Sequence, residues 1–367
     1  MSLDRLDRET RELLERFGFD AELFEALRRR VASGELSKDA NLVRGTIEPP
    51  RPDDLLRLPD PGDAGYHEAR AVGLEALRRG DVAQIVLAGG MATRFGGVVK
   101  AILAAVDGQS FLEAKLAQTA ALERSLGCSI PVALMTSFAT DLAVRAHVLE
   151  RGLGEPVVFH QFVSLRLDAE GELFLDDDGR PSLYAPGHGD LFGAVRRSGV
   201  IDSLRDRGVR VVTVSNVDNL GARVDPVIVG LHLLAGRPLT LEVARKEGDL
   251  GGAPVRVDGV LQILEGPRFP PSFDQELVPV FNTNTGLFAI DALDREHELT
   301  WLFVRKDVGG RTAVQLERVY HEASRHVPTT YLEVPRRGAR GRFLPIKTPA
   351  DLAAAQDDLR ELVASAV

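Results

Sequence analysis

Between Ile85 and Lys100 the chain reads Ile-Val-Leu-Ala-Gly-Gly-Met-Ala-Thr-Arg-Phe-Gly-Gly-Val-Val-Lys, a set of residue types suited to holding phosphate oxygens. Gly89 and Gly90 have no Cβ, so the backbone can turn there and come close to a ligand. Main-chain N–H groups at such a turn form a nest for anionic oxygen, and Arg94 and Lys100 add full positive charges. Ile85 to Ala88 are apolar at every position, the pattern of a strand buried on both faces. Two familiar phosphate loops are excluded. No Gly-Lys-Ser or Gly-Lys-Thr tripeptide completes a Walker A loop, and the spacing Gly89, Gly90, Gly96 does not meet a dinucleotide fingerprint. An ordinary glycine-rich turn between strand and helix is the competing reading.

Three further segments carry polar groups of the same kind. Ser215-Asn-Val-Asp-Asn-Leu-Gly-Ala222 follows the apolar run Val209–Val214. An acid at a strand's carboxyl end, beside phosphate-binding features, is suited to Mg²⁺, which keeps waters and takes one or two carboxylates plus substrate oxygens. Asp218 is therefore the metal candidate; an Asx-turn capping the next helix is the alternative. Pro186-Gly-His-Gly-Asp190 offers His188 as a donor to a phosphate or hydroxyl, against the plainer reading of a surface histidine, with Asp190 expected to cap the following helix. Phe281-Asn-Thr-Asn-Thr-Gly286 offers the neutral amides and hydroxyls that carbohydrate hydroxyls pair with, read as a turn before a strand Leu287–Ile290. Arg342-Phe-Leu-Pro-Ile-Lys-Thr348 delivers Lys347 just before a final helix. Three aspartates at 176–178 lack the glutamate and the spacing of a calcium loop.

The chain has 367 residues, 44% of them hydrophobic, and a net charge of −9. That is enough for a large core and gives no nucleic-acid footprint. Lysine occurs only at 38, 100, 115, 246, 306 and 347 in a chain rich in arginine, so each lysine marks a place where a compact point charge is wanted. The lone Cys128 excludes an intrachain disulfide framework. No apolar run reaches membrane-spanning length, and Met1 to Asp20 is charged throughout. A cytoplasmic enzyme is the expectation.

Residues 1–32 carry helical periodicity and Tyr66–Arg79 forms a further amphipathic helix. From Asp81 strands and helices alternate. Gln84–Ala88, Pro131–Thr136, Val157–Gln161 and Val209–Ser215 read as buried strands; Phe111–Ser125, Thr140–Arg151 and Leu191–Asp206 read as the helices between them. Right-handed βαβ crossovers follow, with a mostly parallel α/β sheet covered by helices on both sides and a ligand site outside the strands' carboxyl ends. Hairpins are expected across Leu239–Gly266, turning at Asp258-Gly259, and across Leu173–Leu183. Thr348 caps a last helix running to Val367, with Pro349 at its first position. The division expected is a helical region at 1–80, a catalytic domain at 81–348 and a C-terminal helix at 349–367.

Taken in order, these motifs, with Met135-Thr-Ser-Phe, Phe159-His-Gln and Gln315-Leu-Glu, resemble the eukaryotic-type UTP–glucose-1-phosphate uridylyltransferases of the sugar-nucleotidyltransferase superfamily. The resemblance spans residues 85 to 352. It implies a Rossmann-like, GT-A-like nucleotide-diphospho-sugar transferase fold. The C-terminal β-helix typical of eukaryotic members is expected to be absent, and with it the oligomers built through that domain, so a monomer or small homo-oligomer is expected. It also implies transfer of uridylyl from UTP to a hexose-1-phosphate with Mg²⁺. By resemblance, Leu87, Ala88, Gly89 and Gly90 line the uridine, while Met135, Gln161 and Gly187 face the uracil. His188, Asn216 and Asp218 attend the sugar phosphate and metal, Asn282 and Asn284 the hexose. Lys100 and Lys347 neutralise the reacting phosphates, and Arg94 joins them on the strength of its charge and place in the loop. Two departures stand out: Ala92-Thr93-Arg94 replaces the family's Gly-Thr-Ser, and Val99 replaces its proline. UDP-N-acetylhexosamine or broad-specificity UDP-sugar synthesis is the alternative within the class, and a non-catalytic nucleotide-sugar-binding regulator is the alternative outside it.

Overall fold

The computed structural model describes residues 3, 6–249, 251–344 and 346–364. Its centre is an eight-stranded sheet of β1 (Leu55–Arg57), β2 (Val82–Leu87), β3 (Val132–Thr136), β4 (Val157–His160), β5 (Val211–Asn216), β6 (Leu239–Arg245), β7 (Val280–Ala289) and β8 (Thr329–Val334). The spatial order is β1-β8-β6-β7-β5-β2-β3-β4. All neighbours pair in parallel except β7, which runs against both β6 and β5. The parallel strands therefore end on one edge, where crossover loops gather.

Helices α1 (Arg8–Arg16) and α2 (Ala21–Ala32) come before the sheet in the chain, and alternation along β2 shows how the later layers form. Ala83, Ile85 and Leu87 join a core with α6 (Leu191–Arg197) and α7 (Val200–Asp206) on one face. Val82 packs on the other face with α3 (Ala64–Arg79) and α8 (Pro226–Ala235), and Val86 and Ala88 with α4 (Phe111–Leu126) and α5 (Asp141–Glu150). Burial on both faces is why the strand is apolar throughout. Helix α4 begins at a capping box, the Ser110 hydroxyl accepting from Glu113 N and the Glu113 carboxylate from Ser110 N, which satisfies two otherwise orphaned donors.

Several elements differ from expectation. The polar segment Phe281–Gly286 lies within the ten-residue strand β7: β6 pairs with that strand on either side of a register shift, at 280–282 and at 286–288, and β5 joins from Gly286 onward, which overrides the turn-like composition. The single helix expected over Leu191–Asp206 is two, separated at Ser198 and Gly199. The last helix is likewise two, Pro349–Ala354 and Gln356–Ala364, with Thr348 capping the first as expected; residues 365–367 lie outside the described residues. Region 1–80 is not wholly helical: β1 extends the central sheet, and Ile47–Glu48 pairs with Ala253–Val257. The hairpin Ala253–Val257/Val260–Leu264 turns at Asp258 (φ 49°) and Gly259 (φ 81°), the two left-handed residues of a type I′ turn. Between Leu173 and Leu183 the expected hairpin is short, one antiparallel bridge from Leu175 to Pro181 flanked by Asp176 N donating to Arg180 O at 2.8 Å and Ser182 N to Phe174 O at 2.9 Å. Among the described residues no helix is long and apolar enough to cross a membrane.

Candidate active site

The loop after β2 is held between its two parallel neighbours. Ala88 N donates to Met135 O at 2.8 Å on the β3 side, and Val217 N donates to Leu87 O at 3.1 Å on the β5 side. Ser137 Oγ donates to Gly89 O at 2.9 Å. A Cβ at Gly89 would come within 2.7 Å of Gln161 Nε2 and 3.4 Å of Ser137 Cβ, so glycine is what lets the Gln161 amide lie against the turn. Nothing lies within 4 Å of where a Gly90 Cβ would be, and Gly90 is exposed.

Beyond Gly90 the chain makes a small hairpin, Met91–Ala92 against Val98–Val99, with Arg94 exposed in the 3₁₀ turn at its tip. Lys100 N then donates to Gly90 O at 3.2 Å. That return brings the Lys100 side chain across the carboxyl ends of β2 and β5, where its ammonium contacts the Asp218 carboxylate. Both side chains are half-buried, at 22% and 20% exposure, so the pair is reachable from solvent. A cation and an acid 118 positions apart thus meet beside the two glycines.

The turn bearing Asp218 is built from backbone groups. Asn219 N donates to Asn216 O at 3.3 Å and Ala222 N to Asn219 O at 3.2 Å. The Asn219 side chain, buried, donates through Nδ2 to Arg342 O at 3.0 Å and accepts from Leu344 N at 3.4 Å. This stitches the 342–344 segment to the turn. One step on, Ile346 packs among Ala88, Val99, Ala101, Val217 and Leu220. Lys347 therefore leaves the protein beside the same cluster, with its own side chain exposed and its charge felt at Asp249.

In the loop ahead of α6, Gly187 has φ 97°, and a Cβ there would strike Arg318 O at 2.5 Å. This left-handed backbone sets the direction of His188. The ring of His188 lies half-buried between Tyr320 and His321, with centroids 5.0 and 5.5 Å away, so it is not a surface histidine. Burial, and then the neighbouring His321, push its pKa down to about 3, which keeps the imidazole neutral. Its Nδ1 accepts from Tyr320 N at 3.3 Å, so the ring's proton sits on Nε2 and that nitrogen is the donor. Asp190 does not cap the next helix; its buried carboxylate accepts from Phe162 N at 3.1 Å and from Arg318 at 2.7 Å.

A family model described as UTP--glucose-1-phosphate uridylyltransferase matches residues 21–367. The chain belongs to this family. It is 32% identical over 298 residues to the UTP--glucose-1-phosphate uridylyltransferase of Hordeum vulgare, covering 76% of this chain and 62% of that protein. To the Saccharomyces cerevisiae protein of the same name it is 28% identical over 337 residues, covering 84% and 66%. It therefore spans under two thirds of the length of these relatives. In fold it is similar to the crystal structure titled UDP-glucose phosphorylase from Trypanosoma brucei, with a TM-score of 0.74 and 22% identity over 94% of this chain and 77% of that one. A uridine diphosphate N-acetylglucosamine pyrophosphorylase from the same organism gives 0.73 and 18% over 92% and 75%.

Within this uridylyltransferase-family fold, the remaining expected residues fall in three places. Asn284 has φ 57°, and from that left-handed position its Nδ2 donates to Asn216 Oδ1 at 3.0 Å. Asn282 N donates to Gly252 O at 2.8 Å and its Oδ1 accepts from Asn284 N at 3.2 Å, so the three asparagines form one row. Gln161 stands at Gly89, as described. Met135 and Leu87, by contrast, point their side chains into the α6–α7 core with Ile85 and Phe159, so of Met135 it is the carbonyl that meets the Gly89 strand.

Sequence reasoning missed a second tier. His321 Nε2 lies 2.5 Å from Glu265 Oε1, and its Nδ1 is 3.4 Å from Asn284 Oδ1, so an acid and an imidazole stand behind the asparagine row. Arg342 and Glu242, 3% and 0% exposed, form a two-point ion pair at 2.6 and 3.0 Å. Lys115, on α4, is wholly buried. Of these only Lys115 carried a signal, the scarcity of lysine.

Proposed function

We propose that the protein transfers the uridylyl group of UTP to a hexose-1-phosphate, glucose-1-phosphate first among them, releasing pyrophosphate and UDP-sugar. The observation that carries this reading is the Lys100–Asp218 contact beside Gly89–Gly90, in a chain of the UTP–glucose-1-phosphate uridylyltransferase family. The acceptor phosphate is already an anion at neutral pH, so its oxygen can attack the α-phosphorus without a protein base. Catalysis then rests on alignment and on neutralising repulsion between anions. Gly89, Gly90 and Gln161 bind the nucleoside side. Lys100, with Arg94 and Lys347 from the rim, offsets the charge of the triphosphate. His188 donates from Nε2, and Asn216, Asn282 and Asn284 orient the acceptor.

Asp218 fits a magnesium ion. It is a single, half-buried carboxylate at the loop edge, and among the described residues no three His, Cys, Asp or Glu side chains form a closed protein cage. An open site completed by water and phosphate oxygens suits this metal. When bound, the ion supplies Lewis-acid neutralisation of phosphate charge.

The test is incubation with UTP, Mg²⁺ and a panel of hexose- and N-acetylhexosamine-1-phosphates, following pyrophosphate and UDP-sugar together. Product with glucose-1-phosphate is expected. Pyrophosphate release with N-acetylhexosamine-1-phosphates alone replaces the acceptor; none with any acceptor, while UTP still binds, overturns catalysis.

A further inference from the structure

Helix α4 lies behind the Asp218 turn and presents Lys115 and Gln118, three apart and so on one face, to the turn's carbonyls. Lys115 Nζ donates to Asn219 O and to Ala222 O, each at 2.7 Å. Gln118 Nε2 donates to Leu220 O at 3.0 Å. Three of the carbonyls that follow Asp218 are thus gripped by one helix. The same helix is tied to the strand that leads to Gly89: Thr119 Oγ1 donates to Gln84 Oε1 at 2.7 Å, both groups buried.

An ammonium with none of its surface exposed is an expensive way to fill a core position. Desolvating it costs several kcal/mol unless hydrogen bonds and opposite charge offset the loss. No carboxylate touches Lys115 among its hydrogen-bond partners; both are main-chain carbonyls. The acids whose charge it feels are Asp218 and Glu242, and Glu242 is already committed to Arg342. A leucine here would pack well but would strip the shortest donor from each carbonyl, leaving Asn219 O only the Ala222 N–H at 3.2 Å and Ala222 O only the Ser215 hydroxyl at 3.3 Å, a looser hold on the turn.

We propose that Lys115 is a positioning residue: from behind the sheet it clamps the 219–222 turn, so that the Asp218 carboxylate is held at the cleft in register with Lys100 and the Gly89–Gly90 loop. Outer-shell groups of this kind, which touch neither metal nor substrate, set the direction of the group that does. The inference rests on the reading of Asp218 as the anchor for a divalent cation and triphosphate.

The experiment measures Mn²⁺ binding in the presence of UTP by electron paramagnetic resonance, for the full chain and for Lys115→Met, alongside KM for the sugar-1-phosphate. For Lys115→Met, folded by circular dichroism, the Mn²⁺–UTP affinity is expected to fall about tenfold or more, with the sugar-phosphate KM unchanged within about twofold. Unchanged Mn²⁺ affinity in the folded variant overturns the proposal, as does equal weakening of both ligands, which is general damage. If Lys115→Met does not fold, Gln118→Leu decides: it removes one of the three bonds, and a smaller loss confined to Mn²⁺–UTP is expected, while no loss overturns the clamp. Failure of the unmodified protein to bind Mn²⁺–UTP at all sinks the reading of Asp218 itself, which distinguishes the two failures.

Discussion

The Arg342–Glu242 pair gives the sharpest test of how the site is held. Both side chains are sealed from solvent, and the guanidinium makes two bonds to the carboxylate, at 2.6 and 3.0 Å, and a third to Arg223 O at 2.8 Å. Removing one partner of such a pair leaves an uncompensated buried charge and costs about 3–5 kcal/mol, whereas removing both leaves only packing and hydrogen-bond deficits. Arg342→Met and Glu242→Leu are each expected to destabilise by that amount. The double variant is expected to lose only about 1–2 kcal/mol, mainly because Arg223 O loses its donor. A chain of 367 residues unfolds with an entropy of about 0.8 kcal/mol/K, so each single change lowers Tm by about 4–6 °C and the double by about 1–3 °C. Thermal melts by circular dichroism on the four proteins give the cycle directly. A double variant as unstable as the sum of the singles, or singles costing under about 1 kcal/mol, would refute the argument that the pair is a closed electrostatic unit.

Lys100→Ala and Asp218→Ala should each lower turnover by on the order of a hundredfold or more. Tm should move little, since a half-exposed pair contributes about 0–1 kcal/mol; near-normal turnover in either variant would remove both residues from the reaction. Gly89→Ala should raise KM for UTP with little loss of Tm, because the new methyl meets the mobile end of Gln161. Gly187→Ala should cost about 1–3 kcal/mol in a melt, since φ 97° and the Arg318 carbonyl leave no room to give; the reverse pattern contradicts the two assignments. His232, buried and bonded to Thr240 Oγ1 at 2.8 Å, has its pKa pushed down to about 4 by burial. An unfolded chain binds that proton near pH 6.5, so the contribution is fully present above pH 6.5 and is lost as pH falls toward 4, by up to about 3 kcal/mol. His232→Gln should flatten the fall of Tm across that window, and an unchanged slope would show that other groups govern it.

What was legible in the chain was whatever is decided locally. The apolar run into Gly89 declares a doubly buried strand, Asp258-Gly259 declares a type I′ turn because both residues tolerate a left-handed backbone, and Thr348 with Asp351 declares a cap. Asn282 to Asn284 misled because amide composition suggests a turn, while β6 pairs with β7 on either side of a register shift, at 280–282 and at 286–288, and carries Asn284 in a left-handed bend within the strand. Lys115 was conspicuous for its rarity, yet a lysine on an amphipathic helix reads as solvent-facing, and only the turn lying behind α4 turns it inward. The Asp218 turn explains why this tier could not be read. Its partners are the carbonyls of Asn219, Leu220 and Ala222, and a carbonyl is present at every residue, so it leaves no mark in composition or spacing. The groups that meet substrate must be particular side chains and so show in the sequence. Those that aim them can bond to bare backbone, and they become visible only when the chain is folded.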